Sequence, residues 1–511
     1  HRYIYLGGLV FLSASLSLSL YTLSIAQIAI FINWIFEGNF NIKWERFKRK
    51  TTLQTFISIF LLFLLGMLYT ENIKAGLDEL KRYLPLFVIP LVIGTSEPLN
   101  KKEIEYILLA FISAIFVNII ISGIYYFVHY DNILDIRKIS LFFSHIRLSL
   151  MIVISIFIIL YYSIFLEISI IAGRNLKIIM IPLLFLFLIF LLLLKSFTGI
   201  AAFIAGLFVF LLFLIKHKKK IYAILLAGFF AVITILISYN VYKAYQQIFI
   251  KKEIKKETLD RITLNNNPYQ HNTNNKAVEN GNYIWLYVCQ KEIKSAWNNQ
   301  SKISFEGYDK QGHRIKYTLI RYLTSKGLRK DSVGMSRLTK KDINSIEKGY
   351  ANYLYAQSGI QLYPRIYKVL WQLDRYFETG DTYGHSLNQR IESTKMGWQI
   401  FKENPILGVG TGDLISQYEK IQLKIKEENR IYGHNRFLNM AVKYGTIGLI
   451  WFLMVLFYPF IWLKGWKNPL FSVFMAIIIS EMIISPVAIA FFAFFYTLFA
   501  WQGRIFFKSK P

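Results

Sequence analysis

Cysteine is almost absent: Cys289 is the only one in 511 residues, which excludes an internal disulfide and any cysteine-built metal cluster. The sequence contains no H-E-x-x-H, G-x-S-x-G or Walker-type stretch, so no motif argues for a zinc hydrolase, a serine hydrolase or a nucleotide-driven motor. Acidic residues are scarce, 31 Asp and Glu against 59 Lys and Arg, for a formal net charge of +28. In a soluble chain that excess would suggest nucleic acid. Here much of it lies in short connectors between apolar runs, where retention of bases on the cytoplasmic side of a membrane accounts for it. No internal repeat is visible either, which argues against a transporter built of two similar halves.

What the chain has is apolar length. Hydrophobic residues make up 54% of it and the mean hydropathy is +0.39, with repeated runs of roughly 20 residues, the length that spans a bilayer. These runs predict about twelve helices, near 3–18, 20–36, 52–69, 83–96, 104–128, 143–166, 177–194, 197–215, 220–241, 440–463, 467–484 and 486–503. The break inside Tyr3–Phe36 is the least marked, because no charge falls there. The first run is followed by many others, so it reads as a retained helix and not as a cleaved leader. The fold class is an all-α polytopic membrane protein.

Basic connectors orient it. Lys43–Lys50, Lys101 with Lys102, Arg174–Lys177, Lys216–Lys220, Lys464–Lys467 and the tail Arg504–Lys510 fall on one side of a twelve-helix arrangement, which is expected to be cytoplasmic together with both termini. The connectors near 70–82, 129–142 and 195–197, and the long insert 242–435, then face outward. The expected domains are 1–241 with nine helices, the outer insert 242–435, and 436–511 with three more helices and a tail.

The insert is too long for a plain connector and reads as a small folded domain. Residues 282–289, 303–306 and 314–320, rich in aromatic and β-branched side chains, suggest a short β element around GYDKQGHR. Helices follow. Asp342 can cap one. Ile366, Leu370, Leu373 and Phe377 stripe the next, ended by Gly380. Leu387, Ile391, Thr394 and Trp398 mark a third, stopped at Asn404 and Pro405, and Asp413 can cap a fourth along Leu414, Tyr418, Ile421 and Ile425. Asn435 can cap the helix that re-enters the membrane, with Leu438, Ala441, Gly445 and Gly448 as a small-residue packing face. The Asn-rich stretches Asn265–Asn267 and Asn272–Asn275 carry no evident chemistry.

Polar groups gather on the outward side. Lys81 and Arg82 precede Pro85; Ser144, Arg147 and Ser155 descend one helix face, with Ser149 pointing away from it; Lys195 sits in the tight turn KSFTG. Each base has an ordinary reading as an interfacial anchor or a snorkelling side chain, although an intramembrane Arg with serines on its own face normally lines a cavity. Arg390 by itself is one solvated charge among many, and His434 by itself reads as a loop residue beside a cap. GVGTGD (Gly408–Asp413) has the look of a phosphate nest but lacks the fingerprint spacing and a preceding strand, so a plain turn is the simpler reading. Taken together, the Lys and Arg heads suit a diphosphate, and a near-neutral His can take a proton from an attacking hydroxyl. A sugar linked to a lipid diphosphate is already activated and needs no further energy source.

Four stretches carry a family resemblance: RIESTKMGWQIFKENPILGVGTGD (Arg390–Asp413), GHNRFLNMAVKYGTIGL (Gly433–Leu449), SHIRLSL (Ser144–Leu150) and LLLKSFTG (Leu192–Gly199). With the layout of about twelve helices and one large late loop, they resemble the O-antigen ligase and O-antigen polymerase superfamily, whose ligases join a surface polymer to the lipid A core. The resemblance implies a glycosyltransferase-C-like membrane enzyme of the bacterial inner membrane, acting at its periplasmic face without a metal or other cofactor and with inversion. Its donor would be an undecaprenyl diphosphate-linked glycan and its acceptor a sugar of the lipid A core or another glycan. The family's His matches His434, its loop Arg matches Arg390 and its intramembrane Arg matches Arg147, with Lys81 or Arg82 as a further base. His434 and Arg390 are thus the expected catalytic residues; Arg147, Arg390, Lys81, Arg82 and Lys195 are expected to hold the diphosphate. The part of the loop near 280–335 departs from the better-known ligases. O-antigen polymerase and protein O-oligosaccharyltransferase share the donor and differ in the acceptor; a lipid-linked glycan flippase is the reading from outside the enzymes.

Overall fold

The computed structural model describes residues 1–129, 133, 136–165, 175–217, 220–251, 253–356, 362–380, 386–424, 432–484 and 489–502. His385, Ile425, Arg174 and the basic tail Arg504–Lys510 lie outside them. The chain forms two compact units, one of residues 1–224 with 390–511 and the other of residues 225–389.

Before the insert the helices run α1 (Arg2–Leu18), α2 (Leu20–Phe36), α3 (Phe40–Lys48), α4 (Thr51–Leu65), α5 (Ile73–Tyr83), α6 (Pro85–Thr95), α7 (Lys101–Val128), α8 (His145–Ile164), α9 (Asn175–Leu193), α10 (Phe197–Lys216) and α11 (Lys220–Ile248). A helix therefore stands at each apolar run predicted in this part of the chain. The uncharged break in Tyr3–Phe36 falls at Ser19, whose backbone is extended and whose hydroxyl accepts from the Tyr21 and Thr22 amides. A hydroxyl cap sets the boundary that no charge marks.

Among the described residues, six helices are long and apolar enough to cross a membrane: Thr51–Tyr69, Lys101–Val128, His145–Ile164, Phe197–Lys216, Lys220–Ile248 and Arg436–Trp462. The pair α2 and α3, bent by 110°, would make a seventh, and Arg2–Leu18, Ile179–Leu193, Pro469–Ile483 and Ile489–Gln502 are apolar but shorter. The large apolar side chains that these helices leave exposed suit lipid contact, which makes this a multi-pass membrane protein.

The second unit contains α12 (Gln290–Gln300), α13 (Ile315–Ser325), α14 (Ser332–Ser336), α15 (Lys340–Glu347) and α16 (Leu362–Thr379). The expected β element shrinks to two short strands, Val278–Glu279 paired antiparallel with Asn282–Tyr283. Tyr308 and Arg314 make one antiparallel bridge across GYDKQGHR, and residues 315–320 are helical instead. Ile315, Leu319, Tyr322 and Leu323 recur at helical spacing and are buried with Ile293, Trp297 and Phe305, so periodicity overrides their strand-like composition. Asp342 is not the cap of α15: Thr339 is, and Asp342 answers it from the third helical position in a capping box. Helix α16 ends at Gly380 (φ 70°) as expected, but Tyr367 and Trp371 are its buried face while Phe377 of the expected stripe is 75% exposed. Cys289 is buried and free.

The chain continues through α17 (Ser386–Glu403), α18 (Leu414–Lys424), α19 (Arg436–Trp462), α20 (Pro469–Ile484) and α21 (Ile489–Thr497). Helix α17 stops before Asn404 and Pro405 as predicted. Helix α19 is capped by Asn435, whose side chain accepts from the Leu438 amide at 3.1 Å.

Candidate functional site

A cavity of about 730 Å³ opens among α1, α2, α5, α6, α8, α19 and α21. Most of its wall is apolar, including Leu20, Leu23, Phe31, Phe87, Met151 and Phe491. Into it come the bases Lys81 and Arg82, at the end of α5, and Arg147, one turn into α8, together with Arg436. Local chemistry explains the first two placements. Pro85 at the first position of α6 forces a new helix to begin, and Ser144 caps α8 by accepting from the Arg147 amide. Lys195 is not part of this lining. It holds a left-handed backbone (φ 49°) at the turn between α9 and α10, where Ser149 Oγ lies 2.9 Å from Ser196 Oγ. Ser155 of the expected stripe is fully buried.

Sequence reasoning passed over Arg436, the first residue of α19. A cation there opposes the helix dipole, and it stands in the first turn of a membrane span; both were signals for a function beyond anchoring. Arg436 Nη1 donates to the Tyr83 hydroxyl at 2.6 Å, and its guanidinium carbon lies 4.8 Å from the Tyr83 ring centre. Behind it the buried Lys443 pairs with Glu79. Burial alone would raise the Glu79 carboxyl; the Lys443 ammonium outweighs that and holds it below the usual carboxylate value.

GVGTGD is a docking segment and not an anion nest, because its backbone groups are spent on the protein. Val409 and Gly410 amides donate to the Val442 and Lys443 carbonyls at 3.0 and 2.9 Å, and the Thr411 amide donates to Gly66 O. Asp413 stands at the expected cap position of α18, where its carbonyl accepts from the Gln417 amide, and its carboxylate accepts from the Glu71 and Asn72 amides at 2.8 and 2.9 Å and so fixes the start of α5. The expected small-residue face of α19 is interrupted: Gly445 is not helical (φ 64°, ψ −163°), and the Thr446 amide donates to Pro405 O. A Cβ on Gly445 would fall 2.0 Å from Ile406 O, and one on Gly408 would fall 2.3 Å from the Lys443 carbonyl carbon. The two glycines let two backbones meet.

His434 and Arg390 form a second group. Both are half-buried, His434 just before Asn435 and Arg390 in the first turns of α17. Burial, and after it the positive charge of Arg390, pushes the His434 imidazole below its ordinary pKa. It is therefore neutral near neutral pH and able to accept a proton. In the chain it lies two residues before Arg436. Among the described residues no three His, Cys, Asp or Glu side chains are grouped as a metal site.

In this multi-pass membrane protein, then, a cavity among apolar helices is lined by four basic side chains. Residues 354–453 match the family described as O-Antigen ligase (Wzy_C). The match includes Arg390, GVGTGD, His434, Arg436 and the break at Gly445, so this stretch of the chain is similar to that family. No curated protein matches the chain.

Proposed function

We propose that this protein transfers a glycan from undecaprenyl diphosphate to the lipid A core, with inversion and without a metal, at the periplasmic face of the bacterial inner membrane. The observation that carries the reading is the convergence of Lys81, Arg82, Arg147 and Arg436 on one largely apolar cavity. Guanidinium and ammonium heads match a diphosphate by forked and point-charge contacts, and the apolar wall suits a prenyl chain. Twelve spans, cytoplasmic termini and a periplasmic 242–435 segment put the bases of the cavity and His434 on one side of the membrane.

The chemistry follows from charge. His434 takes the proton of the acceptor hydroxyl as its oxygen attacks the anomeric carbon, the bond from that carbon to the diphosphate oxygen breaks, and the arginines stabilise the departing diphosphate. Arg390 keeps the imidazole neutral. O-antigen polymerase and protein O-oligosaccharyltransferase activities share these steps and differ in the acceptor. Reconstitution with a lipid diphosphate glycan tests the proposal: a product with lipid A core is expected, a product only with a second glycan or with a protein reassigns the acceptor, and transbilayer movement without transfer overturns the enzyme. A reporter fused at Asn274 that reads cytoplasmic would overturn the orientation.

A further inference from the structure

Helix α20 carries Glu481, a carboxylate inside the membrane region. It is fully buried, and neither of its oxygens has a hydrogen-bond partner among the described residues. A bare charge of that kind is costly and seldom kept without a partner. Its neighbours supply one at longer range. Helix α20 packs against both α8 and α19, the helices that bring Arg147 and Arg436 to the cavity, and both arginines act on Glu481 electrostatically. The next residue, Met482, lines a small apolar void whose one charged wall residue among the described residues is Arg436. Other groups already hold part of this cluster: Tyr83 hydrogen-bonds Arg436, and Lys443 is occupied by Glu79.

We propose that Glu481 is the internal counter-ion of the cavity, a positioning residue that faces Arg147 and Arg436 from behind and competes electrostatically with a diphosphate for them. The inference rests on the reading of the cavity as a diphosphate site. Without a fixed negative charge, converging cations in a low-dielectric wall hold substrate and leaving group alike. With one, the empty cavity stays compact and the spent lipid diphosphate is released. The effect on ligands scales with their charge, so a lipid diphosphate feels it more than a monophosphate.

The test is binding of undecaprenyl diphosphate and undecaprenyl monophosphate to the full chain in nanodiscs, compared with E481Q, together with kcat and KM for transfer. E481Q is expected to bind the diphosphate about threefold to tenfold more tightly, with a smaller gain for the monophosphate, and to lower kcat and KM together as product release slows. Diphosphate binding that is equal or weaker in E481Q, while wild type binds it, overturns the counter-ion alone. Absence of diphosphate binding by wild type overturns the cavity reading and the counter-ion with it. If E481Q does not fold, E481M fills the volume without the charge and is expected to give the same tightening; E481D, which keeps the charge, is expected to stay within about twofold of wild type.

Discussion

Arg436 is held from two directions by one residue, Tyr83, which accepts its Nη1 hydrogen bond at 2.6 Å and offers its ring face 4.8 Å from the guanidinium carbon. The ring restrains the cation and the hydroxyl sets its direction. Tyr83→Phe keeps the first and removes the second. A hydrogen bond to a charged group contributes about 1.5 to 3 kcal/mol, only part of which reaches the ligand, so donor affinity is expected to fall by roughly fivefold to tenfold. Equal donor affinity in the folded variant would show that Arg436 needs no aiming.

Arg147 and Arg436 reach the cavity from different helices, so each can be removed without the other. Arg147→Ala and Arg436→Ala are each expected to weaken lipid diphosphate binding by about 1.5 to 3 kcal/mol, a charge-assisted contact apiece. Lysine at either position is expected to restore part of the loss, since a point charge lacks the planar fork. Lys195→Ala, outside the cavity lining, is expected to leave donor affinity within about twofold. Binding isotherms on purified protein decide among these; a large effect of Lys195 alone would move the diphosphate to the α9–α10 turn.

Helix α19 depends on the absence of one Cβ. At Gly445 alanine meets both a left-handed backbone, which costs about 1 to 2 kcal/mol, and the Ile406 carbonyl in its path. Gly445→Ala is expected to lower the thermal midpoint in detergent by several degrees and, by shifting the 405–411 segment, to reduce transfer. Retention of both stability and activity would mean that α19 can straighten and that the break has no role.

Much of the fold was legible because lipid imposes a strong pattern. Apolar length alone placed a helix at each predicted run, and Asn435 and Gly380 marked their boundaries by ordinary capping chemistry. The insert was less legible where composition and period disagreed: Ile315 to Leu323 has strand-like residues at helix spacing, and the spacing prevailed. At the site, Arg147, Lys81 and Arg82 were legible as bases out of place in a membrane protein. Arg436 was not, because it lies just outside the apolar run 440–463, between the capping Asn435 and the start of that run. Asp413 was legible only in part. Its position suits a cap of α18, and only the tertiary fold shows that its carboxylate is used by the amides of Glu71 and Asn72, distant in sequence. Gly445 likewise fitted a helical packing face until the carbonyls of Pro405 and Ile406 gave the chain a partner outside the helix.

His434 and Arg390 make the remaining prediction, which is a pH dependence. A base works only when deprotonated, so transfer is expected to fall as pH drops through the imidazole pKa. Burial and the Arg390 charge set that pKa below the ordinary value of about 6.5, and the acid limb therefore lies below it. Arg390→Gln removes one of the two causes and leaves burial, so the limb is expected to move toward higher pH, with less loss at pH 8 than at pH 6. A positioned base typically contributes about 10² to 10⁴ in rate, so His434→Ala is expected to lose that much transfer above the imidazole pKa, and the acid limb with it, while lipid diphosphate binding stays near normal. Parallel loss of binding and transfer in His434→Ala would make His434 a ligand of the diphosphate. An Arg390→Gln profile that drops uniformly, with its acid limb unmoved, would show that Arg390 touches the donor directly instead of acting through the imidazole.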